Sequence, residues 1–150
     1  MAELSVEEAL ARVPLLSRLS DGQRARLAGR VTRRTFRDGS TIVKQGDTSM
    51  SFYVLLSGRV RVEHESRGRG ANVQIEELGP GAAFGEMGLI DDMPRAATVL
   101  ALEPTECALL ARWDFQNELR DDPDIALALL PVLNARIRDL DARLALALGS

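Results

Sequence analysis

Cys107 is the only cysteine in 150 residues, so no intrachain disulfide can form and a reducing compartment fits. It falls in Thr105-Glu106-Cys107-Ala108-Leu109-Leu110, which reads as a buried strand. The thiol is therefore expected to be a small core hydrophobe rather than a nucleophile. Histidine is equally scarce. His64 stands alone at the strand end marked by the alternation Val60, Val62, His64, and one imidazole makes neither a metal cluster nor a Cys–His dyad. No metal is expected. Aromatics amount to 4%, so Leu, Val, Ile and Ala must build most of the interior. No apolar run approaches the length needed to cross a bilayer, and the N-terminus lacks the basic region and apolar core of a secretory signal. The expectation is a cytoplasmic protein without a membrane partner. An overall positive field is missing too: the formal net charge is −3 and the pI near 5.3, which argues against wrapping nucleic acid. Arg24, Arg26, Arg30, Arg33, Arg34 and Arg37 do crowd one stretch. They are read as a solvated helix-and-strand face, with a phosphate track as the alternative.

What is present suits one domain, residues 1–150, with 45% apolar and 27% charged content. Residues 1–31 look helical. Ser5 and Glu8 have capping-box spacing, and Val6, Ala9, Leu10 and Val13 share a face until Pro14 interrupts it. A second helix starts at Ser20 or Asp21 and turns Leu27 and Val31 inward. From 32 to 111 the texture is that of short strands: Thr41–Val43, Phe52–Leu56, Arg59–His64, Val73–Leu78, Thr98–Leu102 and Thr105–Leu110. Turns carry Asp38-Gly39, Gln45-Gly46-Asp47, Ser57-Gly58, Gly68-Arg69-Gly70 and Gly79-Pro80-Gly81. Such spacing predicts a mainly β fold with flanking helices, a jelly-roll barrel (double-stranded β-helix).

Helix returns over 112–150. Trp113–Leu119 forms a short one, and Asp121 or Asp122 caps a longer one beginning with Pro123 and Asp124. In the latter, Leu130, Ile137 and Leu144 repeat every seven residues, as do Leu133, Leu140 and Ala147. Arg136, Arg138, Asp139, Asp141 and Arg143 fill the positions between, and Pro131 is expected to kink or restart the helix. The heptad face predicts either a coiled-coil homodimer or a helix folded back over its own pocket.

Residues 84–99, Phe-Gly-Glu-Met-Gly-Leu-Ile-Asp-Asp-Met-Pro-Arg-Ala-Ala-Thr-Val, carry the chemistry. Glycines precede and enter a short helix whose free N–H groups would face an anion. Arg95 follows the turn at Pro94 and leads into an apolar strand, where an unpaired guanidinium is poorly placed. A phosphate diester suits its planar fork of donors, and Glu86 offers acceptors to the hydroxyls of a sugar. The residues alone leave a second reading open, in which Arg95 and Glu86 form a surface ion pair.

This stretch resembles the phosphate-binding cassette of the cyclic nucleotide-binding domain family, which includes protein kinase A regulatory subunits, cyclic nucleotide-gated channels and bacterial catabolite activators. Ile42-Val43-Lys44-Gln45-Gly46-Asp47, Phe52 to Gly58 and Leu78-Gly79-Pro80-Gly81 extend the likeness from about residue 13 to the final helix. The resemblance implies that Arg95 pairs with a cyclic phosphate and that Glu86 accepts from the ribose 2′-hydroxyl beside the Gly85 backbone. It also implies that N–H groups of Gly88, Leu89 and Ala96 complete the cradle, next to Ala97. Val73 and Ile75 are expected to touch the base. In eukaryotic members a Thr or Ser after the cassette arginine favours guanine; Ala96 stands there, which points to cyclic AMP with cyclic GMP as the second ligand. Asp141 on the long helix would accept from adenine's amine or suit guanine's paired donors, unless it is simply an exposed heptad position, and Arg136 would approach Glu86.

No kinase, cyclase or phosphodiesterase signature is found, so an enzyme is not expected. The family's bacterial activators continue into a helix-turn-helix, whereas this sequence ends at Leu148-Gly149-Ser150. Direct DNA binding is therefore not expected. The reading is a cyclic AMP sensor that changes conformation and signals through an unidentified protein effector. The alternatives are a truncated transcription regulator and an adaptor that has lost its ligand.

Overall fold

Alternating side chains along short segments build two antiparallel sheets that face each other. The computed structural model describes residues 4–48, 50–65, 73–91 and 94–149, with only the backbone of residues 65, 73, 74 and 87. The strands are β1 (Thr32–Phe36), β2 (Thr41–Val43), β3 (Ser51–Ser57), β4 (Val60–Glu65), β5 (Val73–Leu78), β6 (Ala83–Phe84), β7 (Thr98–Ala101) and β8 (Thr105–Ala111). They form one sheet in the order β1-β8-β3-β6 and another in the order β2-β7-β4-β5. Apart from β4 and β5, neighbours are not consecutive in the chain, as in a jelly roll. The two sheets stay open to one another, so the expected barrel is not closed. The expected Gly68-Arg69-Gly70 turn lies outside the described residues.

β3 explains how the layers stack. Its run Phe52–Leu56 is buried throughout because the two faces meet different cores. Phe52, Val54 and Leu56 pack with the helices, against Leu10, Leu15, Leu27, Phe115 and Ile125. Tyr53 and Leu55 turn the other way and meet Val60, Val62, Val99, Ala101 and Cys107 between the sheets. A strand buried on both sides reads as a continuous apolar run, and this one does.

Cys107 is the small hydrophobe its sequence suggested. Burial, with a further contribution from the neighbouring Glu106 carboxylate, pushes its thiol up to about 12. The reactive thiolate is thereby suppressed near neutrality. Ellman's reagent is expected to leave the native protein unmodified for an hour and to titrate one thiol promptly in guanidinium. Fast labelling of the native protein would contradict this packing.

Helices α1 (Val6–Ala11) and α2 (Asp21–Ala28) precede the sheets, and α3 (Arg112–Asp121) and α4 (Pro123–Gly149) follow them. Ser5 Oγ accepts from the Glu8 N–H at 3.1 Å. A two-way capping box forms at α2, where Ser20 Oγ accepts from the Gln23 N–H and Gln23 Oε1 from the Ser20 N–H. Most of the arginine-rich stretch is occupied within the domain. Arg24 pairs with Asp21, Arg33 with Glu106, and Arg26 with Asp122. Arg30 Nε lies 2.7 Å from the buried carboxylate of Glu118, which holds the guanidinium above its ordinary range and ties the turn after α2 to α3.

The expected break at Pro131 does not occur as a restart, because α4 runs through it as one helix. Proline removes the bond to the carbonyl four residues back, here Leu127. Both residues are exposed, so water can take up that carbonyl. No helix among the described residues is long and apolar enough to cross a membrane.

Candidate functional site

The short β6 delivers the chain to Gly85, whose φ of +80° lies in the left-handed region. A single 3₁₀ turn follows over Glu86–Leu89. Its last residue, Leu89, is buried with Phe52, Phe115, Ile125 and Leu129, so the turn is anchored in the same core as α3 and α4. Asp92 and Met93 lie outside the described residues. The chain returns through Pro94 to Arg95.

Arg95 is fastened at its backbone and left open at its tip. Its N–H donates to the Asp47 carbonyl at 2.8 Å, and its carbonyl accepts from the Gly46 N–H at 2.9 Å. The guanidinium lies over the Tyr53 ring, 5.4 Å from the centroid, and Tyr53 stacks on Phe84 at 4.9 Å. Nη2 donates to the Ser51 carbonyl. Nη1 is buried and finds no partner among the described residues, in a side chain only 8% exposed. Burial draws the guanidinium below its ordinary value, with the Tyr53 environment opposing, yet arginine remains a cation. A buried cation with an idle pair of N–H groups costs stability unless an anion meets it.

Glu86 does not pair with Arg95, so the ion-pair reading of these two residues fails. Its carboxylate is engaged instead by Arg136 of α4, Nη2 to Oε1 at 3.1 Å.

These groups border a cleft of about 390 Å³ between the sheets. Of the residues singled out in the sequence, Gly85, Glu86, Gly88, Arg95, Ala96 and Ala97 line it. Leu89, Arg136 and Asp141 sit elsewhere. Leu89 belongs to the helical core. The Gly88 N–H donates to the Gly85 carbonyl at 3.0 Å, so it closes the turn and is not an open donor. Arg136 reaches the cleft only through Glu86, and Asp141 is exposed on α4, no described residue of which lines the cleft.

The strand face that lines the cleft is not the one that carries Ile75. β4 and β5 pair Val62 with Glu76 and Val60 with Leu78. Val62, His64, Glu76 and Leu78 therefore face the cleft. Ile75 points away and is 59% exposed. The side chain of Val73 lies outside the described residues. His64 and Glu76 were missed as lining residues. The alternation Val60, Val62, His64 was visible, but which face it met was not.

A sequence model of the cyclic nucleotide-binding domain matches residues 33–122. The chain is 38% identical over 112 residues to the cyclic AMP receptor protein of Thermus thermophilus, a match spanning 75% of this chain and 51% of that one. It is 37% identical over 113 residues to the cAMP-dependent protein kinase regulatory subunit of Dictyostelium discoideum, spanning 74% of this chain and 35% of that one. The chain thus spans about half the length of the first relative and about a third of the second. Among solved structures, the N-terminal domain of a transcriptional regulator from Streptomyces coelicolor superposes with a TM-score of 0.79 at 32% identity, covering 89% of this chain and 95% of that domain. Matching sequence, two-sheet architecture and a cassette arginine held open at the cleft converge: the chain belongs to the cyclic nucleotide-binding domain family, whose members are regulatory rather than catalytic modules.

Proposed function

We propose that the chain is a cyclic AMP sensor that passes ligand occupancy to a protein effector. The observation that carries this reading is Arg95 Nη1, buried at the cleft with donors to spare. A cyclic phosphate supplies the missing acceptors and the opposite charge together. Glu86, oriented by Arg136, accepts from the ribose 2′-hydroxyl. Ala96 offers the base no hydroxyl, which favours adenine over guanine. Closure of the cassette on the ligand shifts Leu89, and Leu89 packs against the residues that seat α3 and α4. The ligand need only bind the closed arrangement better than the open one.

The outer face of α4 supports a second part of the reading. Leu130, Ile137, Leu140 and Leu144 are exposed at heptad spacing. Pairing with a second copy would bury them as a coiled coil.

Calorimetric titration with cyclic AMP and cyclic GMP in parallel tests the first part. One site per chain is expected, with cyclic AMP the tighter ligand; a folded protein that releases no heat with either would refute it. Sedimentation at micromolar concentration tests the second, where a dimer is expected and a persistent monomer removes the pairing.

A further inference from the structure

The two polar ends of the cleft lie on opposite walls. Arg95 belongs to the wall of β3, through Ser51 and Tyr53. Across the other sheet, Val99, Val62 and Glu76 lie abreast on β7, β4 and β5. Glu76 therefore stands two strand spacings from Val99, about 10 Å. It reaches the cleft from the far strand, where its neighbours on the same face are Val62, Leu78 and His64.

We propose that Glu76 selects the base: its carboxylate favours a purine carrying an exocyclic amine over one carrying a carbonyl in its place. This rests on the reading of the cleft as a cyclic nucleotide site. A ligand whose phosphate is fixed on Arg95 projects its base away from the cassette, towards the wall that holds Glu76. That wall is otherwise apolar apart from His64. A neutral imidazole offers one donor and one acceptor, so it tolerates either kind of base. An ionised carboxylate only accepts. It welcomes an amine's N–H and repels a carbonyl oxygen. Glu76 is in no hydrogen bond or ion pair with any described residue, so none of these competes for its oxygens.

Cyclic AMP and cyclic IMP differ at C6, amine against carbonyl, and at the adjoining N1, an acceptor in the first and an N–H donor in the second; they are the probes for a carboxylate that meets the C6 substituent. The unsubstituted chain is expected to bind cyclic AMP at least about tenfold tighter than cyclic IMP, the lower range for a charge-assisted bond at a partly solvated position. Glu76→Gln keeps the shape but turns either an oxygen or an amide N–H to the base, so the preference should fall to within about threefold, chiefly by tighter cyclic IMP binding. Glu76→Ala should also erase the preference, by weaker cyclic AMP binding instead. Glu76 is exposed, so both variants should melt close to the parent. A cyclic AMP to cyclic IMP ratio unchanged in both variants overturns the inference while leaving the cleft's function intact. Failure of the parent to bind either nucleotide overturns the cleft's function, and this inference with it.

Discussion

Arg95→Gln is expected to weaken cyclic AMP binding by about a thousandfold, the effect of losing two charge-assisted hydrogen bonds of about 2 kcal/mol each. The figure follows from what the guanidinium has free. Nη2 spends one donor on the Ser51 carbonyl, and Nη1 spends none on any described residue. Glutamine is shorter, uncharged and unable to present a fork. Arg95→Lys should fall between, because an ammonium keeps the charge but neither the two-point geometry nor the flat contact with Tyr53. The variants should remain folded. Removing a buried cation with an unsatisfied nitrogen relieves a desolvation cost, so the ligand-free melting temperature of Arg95→Gln should match or exceed the parent's. Cyclic AMP at a hundred times the dissociation constant should stabilise the parent by about 2.7 kcal/mol and the glutamine variant by almost nothing. Binding within threefold of the parent would mean that the anion sits elsewhere.

The strand segments around the apolar runs were legible because alternation and left-handed glycines survive in any context. β1 was not, for its sequence Thr-Arg-Arg-Thr-Phe lies at a sheet edge and is exposed until Phe36. An edge strand with one covered face and charged residues carries no apolar period to detect. β6 is two residues long and is a strand only because Tyr53 and Val54 lie beside it. The cassette arginine stood out chemically, as a cation entering an apolar strand. Its surroundings did not: Ser51 and Tyr53 come from 44 and 42 positions earlier in the chain, and proximity of that kind is a product of topology. The inward face of β5 was not legible for a related reason. Val-Gln-Ile-Glu-Glu-Leu offers apolar residues to both sides, and only the pairing of Val62 with Glu76 decides which side is inward.

Gly85→Ala tests whether the open guanidinium depends on the backbone beneath it. At φ +80° an L-residue is strained, costing about 1–2 kcal/mol. Gly39, at φ +81° in the turn before β2, is subject to the same penalty, and a Cβ there meets nothing within 4 Å. At Gly85 a Cβ would overlap Arg95 Nη1, and the Ser51 carbonyl is close behind. The two alanine variants should therefore lose similar stability in urea from strain, with a little more lost at Gly85 from the clash. Their binding should diverge. Gly39→Ala is expected to keep cyclic AMP affinity within about twofold, since additivity holds for distant sites. Gly85→Ala must push the guanidinium off Tyr53 or out of reach of Ser51, and a displaced fork loses the paired geometry that phosphate requires. A fall of about a hundredfold is expected, approaching but not reaching that of Arg95→Gln because the charge remains nearby. If the two alanine variants bound equally well, the glycine would be serving the turn alone, and the guanidinium would have to reach phosphate from another position.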